Sequence, residues 1–239
     1  MAPWDSLIRF SVADGAEYWA ALPLETVPSP GLTVQGHSSI EELESGAAGV
    51  KVTVNKLLAP VPETGIPIIC IGLNYRNHAN EASGELTLVL RNSIKNIKPS
   101  EAESHILGYT IGNDVTARFF QRSCGGQYTY AKGFDRFAPL GPRLVHPSLV
   151  DTSANGRITT KVNGRVVQNS PFDFIFPIDE LLSFLSQGTT IPAGTAIMTG
   201  TPAGVGWFQD PKCQLQDGDI VEVEVSPIGV LKNPIVYEK

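Results

Sequence analysis

Residues 108–118 have the sequence Gly-Tyr-Thr-Ile-Gly-Asn-Asp-Val-Thr-Ala-Arg, a strand-like segment with an acid, Asp114, in its middle. A buried aspartate needs a partner, because an isolated charge is costly in an apolar interior. A hard cation or Arg118 would serve as that partner. The alternative is that Asp114 is an ordinary strand-end or turn residue.

A second acid, Glu85, lies at the head of the apolar segment GELTLVL at 84–90. Strand alternation predicts that Leu86, Leu88 and Leu90 share one face of this segment. The apolar run IPIICIGL at 66–73 predicts another buried strand. Two carboxylates that a sheet brings together repel each other unless a cation lies between them, so Glu85 and Asp114 are candidate metal ligands.

Further strand signals dominate the rest of the chain, and Asn163-Gly164 between the Val-rich arms of 161–168 predicts a type I′ hairpin. Alternating valines at 217–231 predict strand structure. Helices are predicted at 100–108, with Ser100 as N-cap, and at 178–188, where Gly188 ends the helix. A short helix capped by Ser38 or Ser39 is also expected. These signals predict a mainly β (α+β) fold with a curled mixed β core and a few short helices.

Composition limits the domain organisation and the classes of partner. A chain of 239 residues can bury one large core, and we expect a small N-terminal unit at 1–58 followed by a main domain at 59–239. The net charge of −6 argues against nucleic acid as the main partner. No apolar run approaches the roughly 20 residues of a membrane helix, so we expect no membrane partner and a cytoplasmic location. Three widely spaced cysteines predict reduced thiols and neither a zinc site nor a disulfide framework.

Polar residues that follow the predicted strand at 66–73 are candidates for catalysis. If residues 74–81 turn into a helix, His78 and Glu81 lie at i and i+3 on one face. A carboxylate beside an imidazole fixes its tautomer and raises its basicity, as a general base requires. The alternative is a surface pair at a helix start.

Two other features are suited to binding an anion. Lys132, in the glycine-bearing aromatic stretch 131–135, would clamp a substrate carboxylate or stabilise a developing enolate, unless it is a surface lysine. The glycine-rich turn at 199–206 could hold a carboxylate with its backbone N–H groups, or be a plain turn. It lacks the lysine of a phosphate-binding loop.

Taken in order, seven segments resemble the fumarylacetoacetate hydrolase family: IICIGLNYRNHANEA, GELTLVL, GYTIGNDVTARFFQ, AKGFDRFAPLGPRLV, VNGRVVQNS, IMTGTPAGVG and DGDIVEVEV. The resemblance runs from about residue 56 to the C-terminus. It implies a β-roll core of the fumarylacetoacetase C-terminal-like fold, usually in a homodimer. The implied cofactor is Mg²⁺ or Mn²⁺, with Ca²⁺ as an alternative.

The resemblance also implies a reaction and roles for individual residues. Members cleave carbon–carbon bonds in diketo acids of the acylpyruvate type, or decarboxylate or tautomerise acids of the oxaloacetate type. We therefore expect a metal-dependent hydrolase that cleaves a carbon–carbon bond in a small diketo acid, with an oxaloacetate decarboxylase or tautomerase as the alternative. In either case a small carboxylated carbonyl substrate is expected. The implied site has catalytic His78, Glu81 and Lys132. Its implied metal ligands are Glu85 and Asp114, and its substrate-facing residues are Arg118, Gln121 and Thr201.

The sequence departs from the family pattern beside Glu85. The family has a Glu-x-Glu pair on one strand, whereas this chain has Ser83-Gly84-Glu85. The stretch between Glu81 and Gly84 is also several tens of residues shorter, as if one core strand were deleted. Two hypotheses follow: a working metal enzyme, or a catalytically impaired relative with a binding or regulatory role. An unclosed gap predicts unpaired backbone and exposed apolar surface along residues 84–90.

Overall fold

A computed structural model describes residues 4–61, 65–72, 74–75, 84–202 and 214–238. The strands in these ranges are β1 (Ser6–Ser11), β2 (Glu17–Leu22), β3 (Thr33–Gly36), β4 (Val50–Thr53), β5 (Lys56–Leu58), β6 (Ile68–Cys70), β7 (Gly84–Leu90), β8 (Ile106–Asn113), β9 (Leu140–Val145), β10 (Arg157–Val162), β11 (Arg165–Pro171), β12 (Ala196–Met198), β13 (Ile220–Val225) and β14 (Gly229–Pro234). The α-helices are α1 (Ile40–Glu44), α2 (Arg118–Ser123), α3 (Tyr128–Lys132) and α4 (Ile178–Leu185), and 3₁₀ turns occupy Pro99–His105 and Pro147–Leu149.

The strands form two principal sheets and a small ribbon. The large sheet has eight strands in the order β2-β1-β9-β8-β7-β12-β6, with β5 paired to β1. It is mixed, because β12 runs parallel to β6 and antiparallel to β7. The second sheet has the order β11-β10-β13-β14, and β3 pairs with β4. The predicted mainly β class, with a mixed sheet and few short helices, is confirmed.

The main core lies between the two principal sheets. Leu86, Leu88 and Leu90 on β7 pack there with Ile158 and Val223 from the second sheet. The shared face that alternation predicts for the three leucines is therefore confirmed. Residues from the opposite face of the large sheet, such as Val89, pack in a second cluster.

Strand β7 is paired on both sides, with β8 along one edge and β12 along the other. Leu86 and Leu88 are 0% exposed. The unpaired backbone and exposed apolar surface expected of an unclosed gap are therefore not found along this strand, because β8 and β12 pair with it on its two sides. Ser83 and Glu81 lie outside the described residues.

Residues 1–58 contribute strands to the large sheet, since Ser6 and Leu7 of β1 pair with β9. The domain division at residues 58 and 59 stays a prediction. Within this segment, the helix α1 begins after Ser39, whose hydroxyl accepts a hydrogen bond from the Glu42 amide. The predicted short helix is therefore capped by Ser39 and not by Ser38.

The hairpin follows the sequence prediction, and the later helix begins at Ile178 as predicted but ends at Leu185, before Gly188. The helix predicted at 100–108 is wrong. Asn163 and Gly164 both have positive φ between β10 and β11, as a type I′ turn requires. The segment from 99 to 105 is a 3₁₀ turn, and Ile106 already belongs to β8. Ile106 pairs with Leu90 and is buried in the core. Sheet pairing and burial therefore override the local helix signal.

Candidate functional site

Glu85 is the second residue of β7 and is completely buried. Its carboxylate accepts a 2.5 Å hydrogen bond from the hydroxyl of Thr201 and a 3.0 Å hydrogen bond from the amide of Gly200. A buried carboxylate is costly unless hydrogen bonds or opposite charges compensate it. The segment after β12 therefore supplies part of that compensation.

This segment, Thr199–Pro202, is here called the Glu85 loop. The amide and the hydroxyl of Thr199 both donate to the Leu86 carbonyl, at 3.0 and 2.8 Å. The Asn74 side chain donates to the Thr199 carbonyl at 2.9 Å. Gly200 has φ +110°, and a Cβ there would lie 2.9 Å from Cβ of Asn74. Glycine is therefore required where the loop turns toward Glu85.

Asp114 follows β8 directly and is 5% exposed. It forms an ion pair with Lys132, the last residue of α3. The Ala117 amide donates to the Ala131 carbonyl at 2.9 Å, which brings the end of α3 back beside Asp114. Lys132 thus takes the partner role that the sequence assigned to a cation or to Arg118.

Glu85 and Asp114 share one electrostatic environment. Burial and the nearby Asp114 charge raise the pKa of Glu85 to about 8, although Thr201, Lys132 and Gly200 act in the opposite direction. The described groups that act on Glu85 therefore undercompensate its charge. The pKa of the neighbouring Cys70 thiol is raised to about 12, mainly by its burial and also by the charges of Asp114 and Glu85. Cys70 is therefore a poor nucleophile at neutral pH.

Arg118 and Gln121 lie together on α2, where the guanidinium of Arg118 donates to the side-chain oxygen of Gln121. Gln121 is buried, whereas Phe119 between them is exposed. The two residues are neighbours because they lie three positions apart on one helix. Their contact with a substrate stays a prediction. Thr201 directs its hydroxyl to Glu85, and its predicted contact with a substrate also stays a prediction.

A divalent cation fits the donor set around Glu85. The donors are carboxylate oxygens, which Mg²⁺, Mn²⁺ and Ca²⁺ prefer. When both acids are ionised, as a bound cation requires, they carry more negative charge than Lys132 neutralises. Glu85 and Asp114 are the residues that would hold the ion. Within the described ranges no three His, Cys, Asp or Glu side chains form a cluster. His78 and Glu81 lie outside those ranges, and their predicted roles are unchanged.

Two buried amides beside the site were not predicted as functional residues. Asn74 opens the motif 74–81, and its position directly after the strand predicted at 66–73 was the available signal. That strand is shorter and more exposed than predicted, because β6 spans only Ile68–Cys70 at the end of the large sheet and Ile68 is exposed. Gln168 lies on β11 in the second sheet, and no local pattern marks it, because its partners are distant in sequence.

The mixed sheet, its packed second sheet and the buried acid pair beside a lysine define a β-rich fold with a polar site where β7 begins and β8 ends. The chain belongs to the fumarylacetoacetate (FAA) hydrolase C-terminal family, whose model matches residues 81–236. No helix in the described ranges is long and apolar enough to span a membrane.

Relatives and solved structures agree with this assignment. The chain is 35% identical over 232 residues to oxaloacetate tautomerase YisK of Bacillus subtilis, and the alignment covers 80% of this chain and 77% of that protein. It superposes on a fumarylacetoacetate hydrolase from Exiguobacterium antarcticum with a TM-score of 0.81 and 26% identity, covering 98% and 100% of the two chains. A 2-hydroxyhepta-2,4-diene-1,7-dioate isomerase from Mycobacterium marinum gives a TM-score of 0.77 and 30% identity, with coverage of 97% and 98%.

Proposed function

We propose that this chain is a divalent-metal-dependent tautomerase that interconverts the keto and enol forms of a small 2-oxo dicarboxylate of the oxaloacetate type. The observation that carries the proposal is the buried Glu85 carboxylate beside the Asp114–Lys132 ion pair. The sequence similarity to an oxaloacetate tautomerase supports the choice of substrate class.

Tautomerisation moves one proton from the carbon beside the carbonyl to the carbonyl oxygen, and no bond between heavy atoms breaks. The energetic problem is the negative charge that develops on that oxygen. A divalent cation held by Glu85 and Asp114 would polarise the carbonyl oxygen. The Lys132 ammonium, with 22% of its side chain exposed, can donate a hydrogen bond to a substrate oxygen while it remains beside Asp114. His78 is the proposed proton acceptor, on the family resemblance.

A hydrolase that cleaves a carbon–carbon bond in an acylpyruvate is the second candidate. The structural similarity to a fumarylacetoacetate hydrolase supports it. Hydrolysis also requires an activated water molecule, so it depends on the His78–Glu81 pair as general base. On this candidate, His78→Ala should lower acylpyruvate turnover by roughly 10²-fold, and Glu81→Gln should cost less because Glu81 only orients the base.

The test compares both reactions on one preparation in the presence of Mn²⁺. Loss of the enol absorbance of oxaloacetate reports ketonisation, and loss of the diketo absorbance of an acylpyruvate reports hydrolysis. Glu85→Gln protein with the same Mn²⁺ corrects for ketonisation by free metal. The proposal expects ketonisation well above this background and little acylpyruvate cleavage. The reverse preference would support the hydrolase. The absence of both activities would favour the catalytically impaired relative that Ser83 suggests.

A further inference from the structure

The Glu85 loop contacts the second sheet as well as β7. Gln168 on β11 is 1% exposed, and its side-chain amide donates to the Pro202 carbonyl at 3.3 Å. The side-chain oxygen of the same residue accepts a hydrogen bond from the Thr160 hydroxyl on β10. Both hydrogen-bonding ends of the Gln168 amide are thus engaged in a buried place.

Pro202 explains why this contact is made through a carbonyl group. Proline has no backbone N–H, so the loop cannot be anchored at this position through its own amide. Pro202 directly follows Thr201, whose hydroxyl donates to Glu85. A shift of the Pro202 carbonyl would therefore move the Thr201 hydroxyl with it.

Gln168 also meets the residue before Glu85. A Cβ built on Gly84 would lie 3.1 Å from the Gln168 side-chain oxygen and 2.5 Å from the Thr160 hydroxyl oxygen. The absence of a side chain at Gly84 leaves the room that this amide and this hydroxyl occupy. Gln168 therefore lies beside Gly84, which precedes Glu85, and binds Pro202, which follows Thr201.

Packing alone does not account for a glutamine at this position. Burying an amide side chain is unfavourable unless both its donor and its acceptor are satisfied, and an apolar side chain of the same length would fill the space without that requirement. The hydrogen bonds of Gln168 are directed to one neighbouring strand and to the Glu85 loop. This is the arrangement expected of a group that orients a site residue from outside.

We propose that Gln168 is a positioning residue, which fixes the Glu85 loop against the second sheet and thereby orients the Thr201 hydroxyl and the Gly200 amide toward the Glu85 carboxylate. The activity readout of this proposal rests on the proposed function. Its cation-binding and amide-exchange readouts do not.

The test compares Gln168→Met, Thr160→Val and the matched control Thr110→Val. Methionine keeps the length of the side chain but removes both hydrogen bonds, and Thr160→Val leaves Gln168 without its fixed orientation. Thr110 is also buried in a strand and also donates its hydroxyl to a carbonyl, that of Gly141 at 3.1 Å, but it has no hydrogen bond to the Glu85 loop. Calorimetric Mn²⁺ titration, kcat, KM, thermal unfolding and hydrogen exchange of the Gly200 amide are measured for each variant.

Gln168→Met should weaken Mn²⁺ binding and lower kcat by about 10-fold, the scale of one hydrogen bond that supports a charged group. The KM for substrate should stay within about twofold, because Gln168 is buried and is proposed to act only through the Glu85 loop. The Gly200 amide should exchange faster relative to amides of β8. Thr160→Val should show the same changes to a smaller extent, and it supplies the test if Gln168→Met fails to fold.

If Gln168 served only in packing, Gln168→Met and Thr160→Val would unfold at a lower temperature, as Thr110→Val does. Their Mn²⁺ affinity and the exchange rate of the Gly200 amide would stay unchanged. That result would overturn the proposal. If the wild type lacks tautomerase activity, the proposed function fails, and the Mn²⁺ and Gly200 measurements still decide the role of Gln168.

Discussion

The hydroxyl of Thr201 donates a 2.5 Å hydrogen bond to the carboxylate of Glu85, in a place where both residues are buried. This bond lowers the pKa of Glu85 and so favours the charged form that a cation requires. Thr201 therefore supports the proposed metal site, although its oxygen is not required as a ligand.

Thr201→Val is expected to weaken Mn²⁺ binding by roughly 10- to 100-fold, since a hydrogen bond to a charged group contributes about 1.5–3 kcal/mol. Thr201→Ser keeps the hydroxyl and should retain most of the affinity. Calorimetric titration of the two variants and the wild type measures the difference. Equal affinities for Thr201→Val and Thr201→Ser would show that the hydroxyl has no part in cation binding.

Removing Lys132 should make folding depend more strongly on the cation. Lys132→Met leaves Asp114 beside Glu85 without its ion-pair partner, so Mn²⁺ should raise the unfolding temperature of this variant by more than it raises that of the wild type. Lys232→Met is the control, because Lys232 forms an exposed ion pair with Glu222. Thermal unfolding with and without Mn²⁺ measures the effect, and an identical Mn²⁺ response in all three proteins would contradict it.

The raised pKa of Glu85 predicts a pH dependence of stability in the presence of chelator. With a pKa of about 8 in the folded chain and 4.5 as the reference value, the folded chain holds a proton that the unfolded chain has lost. The free energy of unfolding should therefore fall as the pH rises from about 4.5 to about 8. Glu85→Gln should remove this part of the slope in urea titrations across that range. Parallel slopes for the two proteins would contradict the assignment.

Much of this architecture follows from local patterns. Strand alternation placed Leu86, Leu88 and Leu90 on one face, because successive side chains of any strand point to opposite faces of the sheet. Asn163-Gly164 specified its hairpin because the turn requires two positive φ angles. The buried acids Glu85 and Asp114 were also identifiable, because a charged residue beside apolar strand residues needs a partner.

The partners themselves could not be read from local sequence. Asp114 pairs with Lys132 because α3 folds back along α2, and no periodicity reports that contact. Gln168 meets Pro202 across two sheets. The closure of the large sheet around β7 was likewise unpredictable, since β12 becomes its neighbour only through a long-range pairing.

The close packing at the start of β7 predicts that Gly84 does not tolerate a side chain. A Cβ there would lie 2.5 Å from the Thr160 hydroxyl oxygen, so Gly84→Ala should destabilise the chain by about 1–3 kcal/mol through overpacking. Gly72→Ala is the matched control, because a Cβ at Gly72 would meet no atom of the described residues within 4 Å. Urea unfolding measures both variants. A loss of stability no larger at Gly84 than at Gly72 would contradict this packing.

The central claim is that Glu85 and Asp114 hold the cation on which turnover depends. Its most direct test is a Mn²⁺ titration of chelator-treated protein, in which the heat of binding and the rate of enol-oxaloacetate ketonisation are both measured at each Mn²⁺ concentration. If Glu85 and Asp114 hold the cation on which turnover depends, the two curves share one midpoint in the wild type, and Asp114→Ala moves both to higher Mn²⁺ concentration. A full rate in the metal-free wild type, or an unchanged midpoint in Asp114→Ala, would contradict the assignment.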